Sequence, residues 1–166
     1  MSDLAKIQLP EFEHESATIT GSENEKAFDI TKLRSETGHI TLDPGYGNTG
    51  ACISDITFID GEKGILRYRG YPIEQLAEKC RFTEICYLLL YGELPNLEQQ
   101  ADFRQKIKKE QNIHEDMKRF FDGFPITAHP MAILSAMVTS LSAYQDETDI
   151  TNEEKIDQDI IRLLGK

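Results

Sequence analysis

The sequence predicts a mainly α protein that opens with a small β unit. Up to about Tyr71 the apolar residues fall in short runs parted by glycine-bearing reversals, and beyond it they recur at helical spacing between capping signals. Residues 53–76 contain the switch. Ile53, Ile56, Phe58 and Ile59 form one β-rich piece, and Ile65, Leu66 and Tyr68 form another. Asp60-Gly61 and Gly64 between them supply the positive φ values of a tight reversal. Gly70 then breaks the second strand. Pro72 suits the first turn of a helix, where a missing N–H costs nothing, and Ile73, Leu76 and Cys80 mark that helix's inner face.

Residues 1–26 are polar and acidic, and their short alternating pieces at 5–9 and 17–20 read as weak edge strands or a partly ordered arm. With residues 27–30 and the hairpin they make a β region with its arm at 1–70, followed by the start of a helical domain at 71–166. Thr83 is placed to cap a helix rich in Ile85, Cys86, Leu88, Leu89 and Leu90, which Gly92 and Pro95 end. Asn96 and Gln99 give a capping box for the next helix, whose predicted face is Leu97, Ala101 and Ile107. Ile113, Met117, Phe120, Phe121 and Phe124 trace a short amphipathic helix.

Residues 129–144 differ in kind. Met131, Ile133, Leu134, Met137, Val138 and Leu141 alternate with alanines and serines, and no charged residue interrupts them. A helix apolar or small on every side has to be buried, so a partner surface is implied. His129, just before Pro130, is read as orienting the entering turn through its ring. Thr151 with Glu154 offers another capping box, and Ile156, Ile160, Ile161 and Leu164 form the last stripe.

At 166 residues with 39% hydrophobic content, the chain has material for one core. Its 18 basic against 29 acidic residues give a net charge of −11, a field that repels phosphate backbones and anionic lipid. Nucleic-acid and membrane-surface partners are thereby disfavoured. Cys52, Cys80 and Cys86 lack any C-x-x-C spacing and read as reduced, mostly buried thiols. Met1-Ser2-Asp3 opens no basic, apolar leader, and no run nears the roughly 20 apolar residues of a membrane span, so a cytoplasmic location is expected.

Gly45-Tyr46-Gly47-Asn48-Thr49-Gly50 fits G-x-G-x-x-G, but residues 51–59 read as strand, not as the helix that would meet a pyrophosphate. A Gly-rich surface turn is the reading. No two of His14, His39, His114 and His129 stand at i, i+4, so no metal site is assigned. Lys63, Arg67 and Arg69 are read as a solvated strand face or an interface ion pair. Arg162 and Lys166, four apart, suit an anion held between them or an ordinary surface pair. Glu147-Thr148-Asp149 and Glu153-Glu154 read as solvated loop and first-turn acids.

Leu42-Asp43-Pro44-Gly45, the run from Ile56 to Gly61, Gly64-Ile65-Leu66, Arg69-Gly70-Tyr71-Pro72-Ile73 and His129-Pro130-Met131 together resemble the opening part of the citrate synthase family, in particular its bacterial type with an N-terminal β region. The resemblance runs from about Ala27 to Lys166. It implies a helical bundle of the citrate synthase type, condensation of oxaloacetate with acetyl-CoA, and a homodimer or homohexamer. Acetyl-CoA is then a substrate and no cofactor is bound. The family's aspartate base, paired histidines and carboxylate-binding arginines would lie beyond Lys166, so no catalytic residue is assigned and the chain alone is expected to be inactive. A propionyl-CoA-using 2-methylcitrate synthase and a stand-alone oligomerisation or regulatory module are the rival readings. Tyr144, Arg162 and Lys166 match positions of the basic patch used by NADH-inhibited members. Lys109-Glu110-Gln111-Asn112 departs from that patch's Arg-His-Thr-Met pattern, and its acid argues against NADH inhibition.

Overall fold

The computed structural model describes residues 4–144 and 149–166; Met1-Ser2-Asp3 and the Glu147-Thr148 part of the acidic loop lie outside the described residues. The described residues form seven α-helices and two three-stranded antiparallel sheets, the mainly α class the sequence predicts. They fall into two units, Met1–Ser54 and Asp55–Lys166.

In the first unit, β1 (Leu4–Gln8), β2 (Glu13–Thr20) and β3 (Lys26–Phe28) pair in the order β1-β2-β3. The arm is thus a sheet. Period-two alternation turns His14 and Ser16 inward, while Lys6 on the other face reaches Glu15 at 2.7 Å and Glu13 at 3.3 Å. His14 is 3% exposed and pairs through Nδ1 with Glu36, at 2.8 Å, on the short helix α1 (Leu33–Thr37). A buried ring with that partner is satisfied rather than orphaned. Leu33 is the one buried hydrophobic residue of this unit among those described.

The second unit begins with β4 (Thr57–Asp60), β5 (Ile65–Tyr68) and β6 (Tyr71–Pro72), in the order β4-β5-β6. Asp60 closes the first reversal by accepting from the backbone N–H of Lys63 at 3.0 Å and from its ammonium at 2.9 Å. Gly64 has a positive φ there and Gly61 does not. The second reversal is a two-residue turn in which Arg69 (φ 47°) and Gly70 (φ 85°) both lie on the positive side, as a I′-type turn requires. Pro72 therefore finishes a strand. Its ψ of 138° makes it the N-cap of α2 (Ile73–Lys79), not the first helical residue. The second compact unit starts at Asp55, ahead of the start at residue 71 expected for the helical domain. The β5–β6 pairing runs straight into α2, and the Arg69 guanidinium donates to the Leu89 carbonyl at 2.9 Å, so the hairpin belongs with the helices. Arg67 and Arg69 are both half-buried, against the reading of a solvated strand face.

The remaining helices are α3 (Phe82–Tyr91), α4 (Leu97–Lys109), α5 (Glu115–Asp122), α6 (Pro130–Ser140) and α7 (Glu153–Gly165), with a 3-10 turn, Leu141–Tyr144, continuing α6. Arg81, not Thr83, caps α3, because Glu84 reaches back to accept the Arg81 N–H at 2.7 Å. Gly92 ends α3 in the left-handed conformation (φ 90°). The Asn96–Gln99 box of α4 is formed, with both bonds at 2.9 Å. Asn152, not Thr151, caps α7: it accepts the Lys155 N–H at 3.1 Å, while Thr151 is bound by the Asp149 carboxylate. The inner face of α4 is centred on Phe103, 3% exposed, and Leu97 is 86% exposed.

His129 caps α6, its Nδ1 accepting the Met131 N–H at 3.2 Å, with Pro130 opening the helix. Met137 and Leu141 pack with Met117 of α5, flanked by Ile113, Phe124, Ile133 and Tyr144. Met131, Leu134 and Val138, spaced i, i+3, i+7, are left exposed. Cys52 is exposed, against the reading of buried thiols, since residues 50–54 join no strand; Cys80 and Cys86 are half-buried and all three are free.

Candidate functional site

The site is built where the C-terminal ends of α4 and α7 meet. α4 packs on α7, and a side chain at Gly165 would place its Cβ 2.8 Å from the Cβ of Glu110 and 2.9 Å from the carbonyl oxygen of Ile107. The close approach needs a glycine. It sets Arg162 and Lys166, one helical turn apart, beside the 110–114 segment that joins α4 to α5.

Tyr144, Arg162 and Lys166 line one cleft of about 580 Å³, together with Glu110, Asn112 and His114. Sequence spacing brings together only the last two of the three; Tyr144 arrives through the 3-10 turn that carries the chain out of α6. Its ring lies against the ring of His114, centroids 5.0 Å apart and planes 31° apart. His114 is held in place because its Nδ1 caps α5, accepting the Asp116 N–H at 3.2 Å. Sequence reasoning did not place His114 at the site. Its position directly before Glu115-Asp116 was the available signal, since short polar acceptors before first-turn acids mark helix starts.

Both cations of the cleft already have acceptors. Arg162 Nη1 lies 3.2 Å from Asp159 Oδ1 and its Nε lies 3.8 Å from Glu110 Oε2. The Lys166 ammonium donates to the Asn112 carbonyl. A stacking pair of rings beside a guanidinium and an ammonium is chemistry suited to an anionic group carrying a flat ring. Here an anion would have to compete with Glu110 for Arg162.

Glu110 and Arg162 also line a second cleft, of about 690 Å³, bordered by Lys106, Lys109, Glu153, Glu154 and Asp157. Lys109 and Glu110 share that wall although adjacent helical residues diverge by about 100°, because Glu110 is the C-cap of α4 and no longer follows the helical turn. The Tyr91 hydroxyl donates to Asp157 Oδ1 at 2.5 Å, joining α3 to α7. Partial burial, and then that carboxylate, push the Tyr91 phenol well above its ordinary value of 10.0. Lys106 is also pushed up, chiefly by its bond to Asp102, at 2.8 Å.

In the first unit, the Gly-rich run is a surface turn. Asp43 fills it: its carboxylate accepts the N–H of Asn48 at 2.9 Å, that of Gly47 at 3.1 Å and the Thr49 hydroxyl at 2.5 Å. The N–H groups that a phosphate would need are taken by the protein's own anion, which is held below the usual carboxylate range by these bonds, the Thr49 hydroxyl foremost. No strand or helix follows directly; β4 starts only at Thr57. Among the described residues no three His, Cys, Asp or Glu side chains converge as a metal cluster, and no helix is long and apolar enough to cross a membrane.

Residues 45–166 match the family model described as citrate synthase, C-terminal domain. The chain is 49% identical over 165 residues to citrate synthase 1 of Mycobacterium tuberculosis, covering 99% of this chain and 38% of that protein. To the citrate synthase of Corynebacterium glutamicum it is 44% identical, covering 98% and 37%. The chain thus spans under two fifths of the length of these relatives. Among solved structures, the citrate synthase of Thermoplasma acidophilum in a ternary complex with carboxymethyl coenzyme A and oxaloacetate matches with a TM-score of 0.69 at 26% identity, over 75% of this chain and 33% of that one. The Pyrobaculum aerophilum enzyme matches with a TM-score of 0.58 at 33% identity, over 77% and 34%. Sequence match, helical architecture and these shared folds agree: the chain belongs to the citrate synthase family.

Proposed function

We propose that this chain is the N-terminal portion of a cytoplasmic enzyme that condenses oxaloacetate with acetyl-CoA to give citrate and CoA. The observation that carries the reading is the 49% identity across 99% of the chain to a protein named citrate synthase, of which it spans 38%. In this reading the chemistry belongs to the part of that protein the chain does not span, and neither cleft is assigned a catalytic role. The chain's own contribution is scaffold and assembly. The exposed Met131–Leu134–Val138 stripe of α6 supports a homo-oligomer, a dimer or hexamer, that covers it. Oxaloacetate and acetyl-CoA are the small-molecule partners, and no resident cofactor is required. The Tyr144–Arg162–Lys166 cleft is a weak anion site, with Glu110 opposing a nucleotide phosphate.

The test is thiol release from acetyl-CoA that depends on oxaloacetate. The chain as it stands is expected to give none, and the chain fused to the remaining length of the mycobacterial relative is expected to give it. A silent fusion that folds and assembles would favour a non-catalytic module, and faster turnover of propionyl-CoA would favour a 2-methylcitrate synthase.

A further inference from the structure

We draw no further inference here: the strongest candidate, the cleft between α3, α4 and α7 where Glu153, Glu154 and Asp157 gather, rests on a cluster of carboxylates with no second, independent feature that points to a ligand.

Discussion

Glu110 meets Arg162 where two clefts adjoin, its carboxylate 3.8 Å from the guanidinium Nε, and three residues further along α7 the bare Cα of Gly165 lets the two helix ends close on each other. The pair depends on the contact. Gly165→Ala tests it with a clear sign. In an open helical position that exchange gains up to about 1 kcal/mol. Here the new methyl group meets Glu110 and the Ile107 carbonyl under 3.0 Å, so overpacking should outweigh the gain and cost about 1–3 kcal/mol. Urea unfolding checks this; a variant as stable as the parent or more so would mean that α4 and α7 do not close this tightly.

Regulation by NADH in the complete enzyme should be weak or absent. The Glu110 carboxylate competes for the guanidinium that a phosphate would use, and both groups are partly solvated, so the contest is worth about 1 kcal/mol, or about fivefold in affinity. Glu110→Gln should tighten NADH inhibition by about that factor, and Arg162→Ala should remove what remains. Strong inhibition of the parent at low micromolar NADH, lost in Arg162→Ala, would overturn the proposal.

Assembly through α6 should fail when a charge enters its exposed side. Ala136 and Leu134 are both exposed, and a glutamate at either would be buried without a partner once a second copy covers the helix. Sedimentation of the Leu134→Glu and Ala136→Glu variants should show smaller species than the parent at equal concentration. A parent that is monomeric at high micromolar concentration, with the variants indistinguishable from it, would remove α6 from the interface.

Alkaline pH should destabilise the second unit through Tyr91. Burial and Asp157 raise the folded phenol above 10.0, so the unfolded chain releases this proton first. Fewer protons are then bound in the unfolded state, and stability falls as pH rises past about 10. Below that the contribution is whole. Tyr91→Phe should flatten the fall in unfolding midpoint between pH 9 and 11; an unchanged slope would place the ionising group elsewhere.

Phe103→Ala should cost about 3–5 kcal/mol. Phe103 is buried edge-on against the rings of Tyr87, at 5.5 Å, and Tyr91, at 6.0 Å. Thermal unfolding of the variant beside Leu97→Ala, which should be nearly neutral at an 86% exposed position, separates the two candidate faces of α4.

That comparison shows what the sequence makes legible. Features fixed by a few neighbouring residues were readable: the Asn96–Gln99 box, the left-handed stop at Gly92, the His129 cap. The rotation of a helix about its own axis was not, because the partner decides it. α4 carries apolar residues at Leu97, Ala101, Phe103 and Ile107, and only the position of α3 and its tyrosines selects Phe103 over Leu97. Caps were misplaced by one or two residues at α3 and α7 where several polar side chains stood together. In the N-terminal unit, nothing local announces that His14 is buried, since Glu36 comes to it from 22 positions away. The cleft is similar: no spacing links Tyr144 to Arg162, and the resemblance to a family alone suggested grouping them.

Among the described residues every other α-helix has a carboxylate in its first turn, and α6 has none, nor any basic residue in its last. Its free N–H groups are met by a ring nitrogen and by a proline that has no N–H to satisfy. The whole helix, ends included, can therefore pass from water into a protein interior without stripping the hydration shell from a single ion.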